Sequence, residues 1–120
     1  MNKIFLTGRI TKDIELKEYG DLKVVNNTIA VYDGKDKNEN DITYFYDFKA
    51  FNYTATKLSS QAQKGSKIAI EGSLKQDKWE DESGKHSKIV VYVDQVEIIA
   101  DTKKEETPQQ EEKESDEMPW

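Results

Sequence analysis

The sequence contains no cysteine and only one histidine, His86. Without thiols there is no disulfide, no thiolate metal site and no cysteine nucleophile, a usage that suits a reducing cytoplasm. A single imidazole is poor material for a zinc centre or a His-based triad. Long hydrophobic runs are missing too: no stretch approaches the roughly 18 apolar residues of a membrane-spanning helix. The opening Met1–Leu6 is too short and too soon polar for a signal peptide. No Ser-x-Gly elbow, P-loop or dinucleotide fingerprint occurs. The acids around Asp77–Glu82 border a glycine-containing turn and read as solvated hairpin charges. These absences lead us to expect no catalytic residue, no metal, no cofactor and no membrane partner.

What is present is a chain of 120 residues, enough for one domain, with 35% charged residues and a net charge of −6. The charge is unevenly spread. Residues 101–120 hold eight acids and three lysines, whereas residues 1–100 hold 16 acids and 15 bases. The domain is therefore nearly neutral, and a local basic stripe on it is compatible with the acidic total. From Asp101 to Glu117 there is no aliphatic or aromatic residue, so this segment has too little to bury and reads as disordered. It nevertheless ends Asp116-Glu117-Met118-Pro119-Trp120. An acidic arm with an apolar tip has the form of a peptide ligand for a basic-rimmed pocket; a solubilising tail with an incidental end is the alternative. The expected organisation is a domain over 1–100, an acidic linker over 101–115 and a partner-docking tip over 116–120.

The first hundred residues read as strands. Lys3–Ile10 is an apolar run interrupted by Gly8, which signals a bulge or a close backbone approach. Tyr19-Gly20-Asp21 is a turn, Lys23–Tyr32 a second strand, Asp33–Asp41 a polar loop and Thr43–Phe51 a third strand. Tyr53–Lys64 is helix-compatible and stops at Lys64-Gly65. Lys67–Lys75 is a fourth strand, Asp77–His86 a hairpin arm turning at Ser83-Gly84, and Lys88–Ile99 the last strand. An all-β chain with one short helix between strands three and four fits a five-stranded OB-fold barrel; a split sandwich and an SH3-like barrel also accommodate the order.

Strand three carries the functional signal. Alternation places Tyr44, Tyr46, Phe48 and Ala50 on one face, expected in the core, and Phe45, Asp47, Lys49 and Phe51 on the other. Charged residues are rarely fully buried, so Phe45 and Phe51 share a wet face with Asp47 and Lys49. Unpaired bases stack on such rings, at about 1–3 kcal/mol each; a second subunit or a folded-over loop would cover them equally well. Trp79 lies on a charged hairpin arm beside Lys75 and Lys78, a ring-and-ammonium grouping suited to one base and its phosphate, or else packs back onto its own barrel. Tyr32, next to the polar loop, is a weaker candidate, and His86 reads as a solvated turn residue.

Several stretches resemble the bacterial and bacteriophage single-stranded DNA-binding proteins. Asn2–Ile10 resembles that family's opening strand, and Asp13 the acid that follows it. Thr28-Ile29-Ala30-Val31 resembles the end of strand two, and Lys64-Gly65-Ser66 leading to Ile70–Leu74 resembles the passage from helix to strand four. Lys78-Trp79-Glu80-Asp81 resembles the mobile hairpin, and the Asp-Glu-Met-Pro-Trp terminus resembles the acidic tip. The resemblance implies an OB barrel, a homo-oligomer, usually a tetramer, and a partnership with single-stranded DNA. It also implies replication, recombination or repair proteins as partners of the tip residues Asp116, Glu117, Met118, Pro119 and Trp120. It puts base stacking on Phe45, Phe51 and Trp79 and phosphate contacts on Lys64, Lys75 and Lys78, to which alternation adds Lys49. The chain departs from the family at Asp47, where relatives can carry a base, at Asn27, usually apolar, and at Glu117 and Trp120. A protein–protein adaptor and an RNA-binding protein on the same scaffold are the alternatives.

Overall fold

Alternating apolar residues and turn-forming glycines divide the described residues into six strands and one helix. They are β1 (Ile4–Ile10), β2 (Lys17–Tyr19), β3 (Leu22–Lys35), β4 (Asp41–Phe51), α1 (Tyr53–Gln61), β5 (Lys67–Asp81) and β6 (Gly84–Ala100). The computed structural model describes residues 1–100, so the acidic linker and the tip expected over 101–120 lie outside the described residues. Strand β1 pairs antiparallel with both β5 and β3, β3 pairs antiparallel with β4, and β4 runs parallel to β6, which returns antiparallel to β5. That circuit closes five strands into the OB barrel, with α1 between β4 and β5. The short β2, not anticipated from the sequence, is the first arm of a hairpin with β3 around Gly20, which sits at φ 64°.

Inward residues of every barrel strand meet in one cluster that includes Ile10, Val25, Ile29, Phe48, Ile68 and Val91. Helix α1 contributes Ala55 and Leu58, three residues apart on its inner face. It ends at Gln61, earlier than the expected Lys64; Gly65 takes positive φ, 92°, in the turn beyond it.

Two glycines make closure sterically feasible. A Cβ on Gly8 would lie 2.2 Å from the Ala30 carbonyl oxygen, where β1 turns from β5 toward β3. The expected close backbone approach at Gly8 is therefore present. A Cβ on Gly72 would lie 2.0 Å from the Tyr92 carbonyl oxygen, at a register shift in the β5–β6 ladder. Asn27, unusual in a core-facing position, is only 4% exposed and fully engaged. Its Oδ1 accepts from the Lys12 and Thr28 amides at 3.2 and 2.8 Å, and its Nδ2 donates to the Lys12 carbonyl at 3.0 Å. The buried amide thus pins the chain after β1 to β3 in a definite register.

Three sequence-based expectations need correction. Strands β3 and β4 continue to Lys35 and back from Asp41, so the polar loop shrinks to residues 36–40. The hairpin arm is an unbroken extension of β5 and β6, 15 and 17 residues long. Tyr44 and Tyr46, expected in the core, are 48% and 40% exposed. Alternation sets which side of a strand a residue faces, but among the described residues the outer half of β4 has no second layer to cover that side.

Candidate nucleic-acid interface

Directly opposed residues in a β-ladder share a face. Along β3 and β4 the opposed pairs Tyr32–Thr43, Ala30–Phe45, Thr28–Asp47 and Asn26–Lys49 form one outward row. The parallel ladder adds Tyr92 of β6 opposite Lys49. Phe45 is 58% exposed in this row, while Phe51 is half-buried against Tyr92, with ring centroids 5.5 Å apart.

A hydrogen-bonded charge network lies across the row. Lys49 Nζ is 2.6 Å from Asp77 Oδ2, and the Tyr92 hydroxyl donates to Asp77 Oδ1 at 2.7 Å. These two donors, Lys49 first, hold the Asp77 carboxyl below the usual carboxylate range, and Asp77 in turn raises Lys49 and Tyr92. Lys49 and Lys75 place their ammonium groups 5.8 and 5.5 Å from the Tyr92 ring centre, within cation–π reach. The Thr28 hydroxyl donates to Asp47 Oδ1 at 2.8 Å and Lys88 Nζ to Asp47 Oδ2 at 3.2 Å; both contacts lower the Asp47 pKa, Thr28 most. Asp47 thus accepts a fixed hydroxyl and orients Lys88. Asn26, Asp47, Lys49, Asp77 and Lys88 line a cleft of about 300 Å³.

The other expected residues take distinct places. Trp79 is 47% exposed near the end of β5, opposite His86 on β6. Lys75 and Lys78 lie on the same strand, Lys75 close to the barrel and Lys78 beside Trp79. Tyr32 borders a second cleft of about 520 Å³ with Arg9, Thr43 and Lys67. Burial, then the neighbouring Arg9, lowers the Lys67 pKa. Lys64 sits before the start of β5, which is 15 residues long, and Trp79 near its far end; about 40 Å of strand separates them at about 3.3 Å per residue. The fold therefore brings Phe45, Phe51, Lys49 and Lys75 to one surface, sends Trp79 and Lys78 along the hairpin extending from it, and leaves Lys64 at the opposite end of β5.

Tyr92 and Lys88 escaped sequence reasoning. The signal for Tyr92 was available: Val91 and Val93 point inward, so alternation sets Tyr92 outward, by the argument that found Phe45 and Phe51. Lys88 becomes significant only through Asp47, 41 residues away. No group of three or more potential metal ligands is found among the described residues, nor is any described helix long and apolar enough to cross a membrane.

Residues 1–99 match the model of the single-strand binding protein family. A single-stranded DNA-binding protein of Aquifex aeolicus is 34% identical over 119 residues, covering 95% of this chain and 80% of its own length. One of Staphylococcus epidermidis is 32% identical over 110 residues, covering 90% and 84%. One of Borreliella burgdorferi is 32% identical over 106 residues, covering 83% and 70%.

Proposed function

Because the chain belongs to the single-strand binding protein family, a family of non-enzymatic DNA-binding proteins, we propose that it binds single-stranded DNA without sequence preference in the cytoplasm of a bacterial or phage-infected cell. The observation that carries the reading is the row of rings interleaved with lysines: exposed Phe45 and half-buried Phe51 and Tyr92 beside Lys49 and Lys75, continued by Trp79 and Lys78 on the hairpin. Rings suit sequence-tolerant binding because every base has a flat apolar face. Lysines exchange for the counterions condensed along the phosphates. Tyr32 and Lys64 extend the path at its margins.

The chain acts as a homo-oligomer, a tetramer, that protects exposed strands during replication, recombination or repair. Its tip, Asp116 to Trp120, recruits the proteins that work on those strands. A titration of labelled oligo-dT at two salt concentrations tests the binding. If each subunit engages about four phosphates, the slope of log K against log salt is about −3 per subunit. The combined Phe45→Ala, Phe51→Ala and Trp79→Ala variant loses most of its affinity while keeping its thermal transition. Unchanged affinity in that variant overturns the stacking model, and a salt-independent titration leaves a protein–protein adaptor as the better account.

A further inference from the structure

Trp79 is not a freely swinging ring. It sits directly opposite His86 in the β5–β6 ladder, and the two rings stack, with centroids 5.3 Å apart and planes 24° from parallel. The imidazole is itself held. Its Nε2 lies 2.9 Å from Asp81 Oδ1 and 3.0 Å from Ser83 Oγ, and Ser83 Oγ donates to the same carboxylate oxygen at 2.8 Å. Since a carboxylate only accepts, the ring form bearing hydrogen on Nε2 is the one that fits. The Ser83 amide also donates to Asp81 Oδ1, at 2.9 Å. Three groups of one tight turn, the Asp81 carboxylate and the hydroxyl and amide of Ser83, therefore fix an imidazole against the indole.

The consequence is geometric. One face of Trp79 is occupied by His86, yet the residue remains 47% exposed. A cleft of about 470 Å³ adjoins the pair, lined by Lys78, Trp79, Glu80, Lys85, His86 and Ser87. We infer that His86 is a positioning residue for DNA: it holds Trp79 by one face and presents the other as a platform for a single unpaired base, whose flanking phosphate meets Lys78 or Lys85. The inference rests on the single-stranded DNA reading above. An indole ordered in the free protein has less freedom to lose when the base arrives. A stacking site closed on one side also takes one base rather than inserting between two.

Labelled oligo-dT affinities of the full chain test this, with thermal transitions recorded for each variant. His86→Ala weakens binding by about two- to tenfold, the ordering cost of one mobile side chain. The same change made in a Trp79→Ala background costs nothing further, because there is no ring left to position. His86→Phe, which keeps a flat ring on the indole, recovers most of the loss. Equal losses from His86→Ala with and without Trp79, or no recovery in His86→Phe, overturn the positioning role. If Trp79→Ala weakens binding and His86→Ala does not, positioning falls while base stacking stands. If Trp79→Ala itself changes nothing, both fall.

Discussion

At the scale of single residues, ion pairs on the outer face restrain two lysines, one of them a proposed phosphate contact. Lys49 is bound to Asp77 at 2.6 Å and Lys88 to Asp47 at 3.2 Å. A phosphate approaching Lys49 must compete with a carboxylate already in place. Asp77→Asn should therefore tighten oligo-dT binding and make the salt slope steeper by about 0.7, the equivalent of one additional phosphate contact. The same variant has a second readout. The folded protein holds Asp77 below its usual range through Lys49 and then the Tyr92 hydroxyl. Its contribution to stability is thus present above the unfolded carboxylate value of about 3.9 and is lost as pH falls through the lower folded value. Thermal melts should show wild type above Asp77→Asn at neutral pH, with the gap closing at pH 4 and below.

At the scale of elements, the strand extensions and the barrel corners are held by different forces. Typical strands run about 5–6 residues, while β5 and β6 have 15 and 17. Beyond Lys75 and Val90 they form a two-stranded ribbon whose large apolar side chains are Trp79 and Ile89. Such a ribbon is marginal alone, so its order depends on contacts such as Trp79 on His86 and the turn at Asp81 and Ser83. The corners are the opposite case, because there the backbone itself is packed. Gly8→Ala forces a Cβ to within 2.2 Å of the Ala30 carbonyl oxygen, and the strands must part to admit it. We expect a loss of about 1–3 kcal/mol or more in denaturant unfolding. A Gly8→Ala protein as stable as wild type would mean that the β1–β3 junction is looser than a 2.2 Å approach allows.

At the scale of the whole molecule, the notable quantity is the division of charge. Residues 1–100 are close to neutral, and residues 101–120 carry most of the net −6. An acidic segment tethered to a DNA-binding domain competes with phosphates for the same lysines, more strongly when salt is low. Removing residues 101–120 should raise oligo-dT affinity modestly at low salt and little at high salt, and should abolish capture of partner proteins. If pull-downs from host lysate are identical with and without the last five residues, the tip does not recruit them.

The sequence by itself determined the order of the five barrel strands, the helix between β4 and β5, and the turn at Ser83-Gly84, because alternation and turn formers are local properties of the chain. It also set Phe45 and Phe51 on a face apart from Phe48 and Ala50. It could not decide coverage. Tyr44 and Tyr46 alternate correctly with the core yet stand in solvent, since burial depends on whether another layer lies above a strand. Nor could it pair Lys49 with Asp77, Asp47 with Lys88 or His86 with Trp79. Those contacts follow from ladder register and barrel closure, which bring side chains together across gaps that no local pattern in the chain encodes.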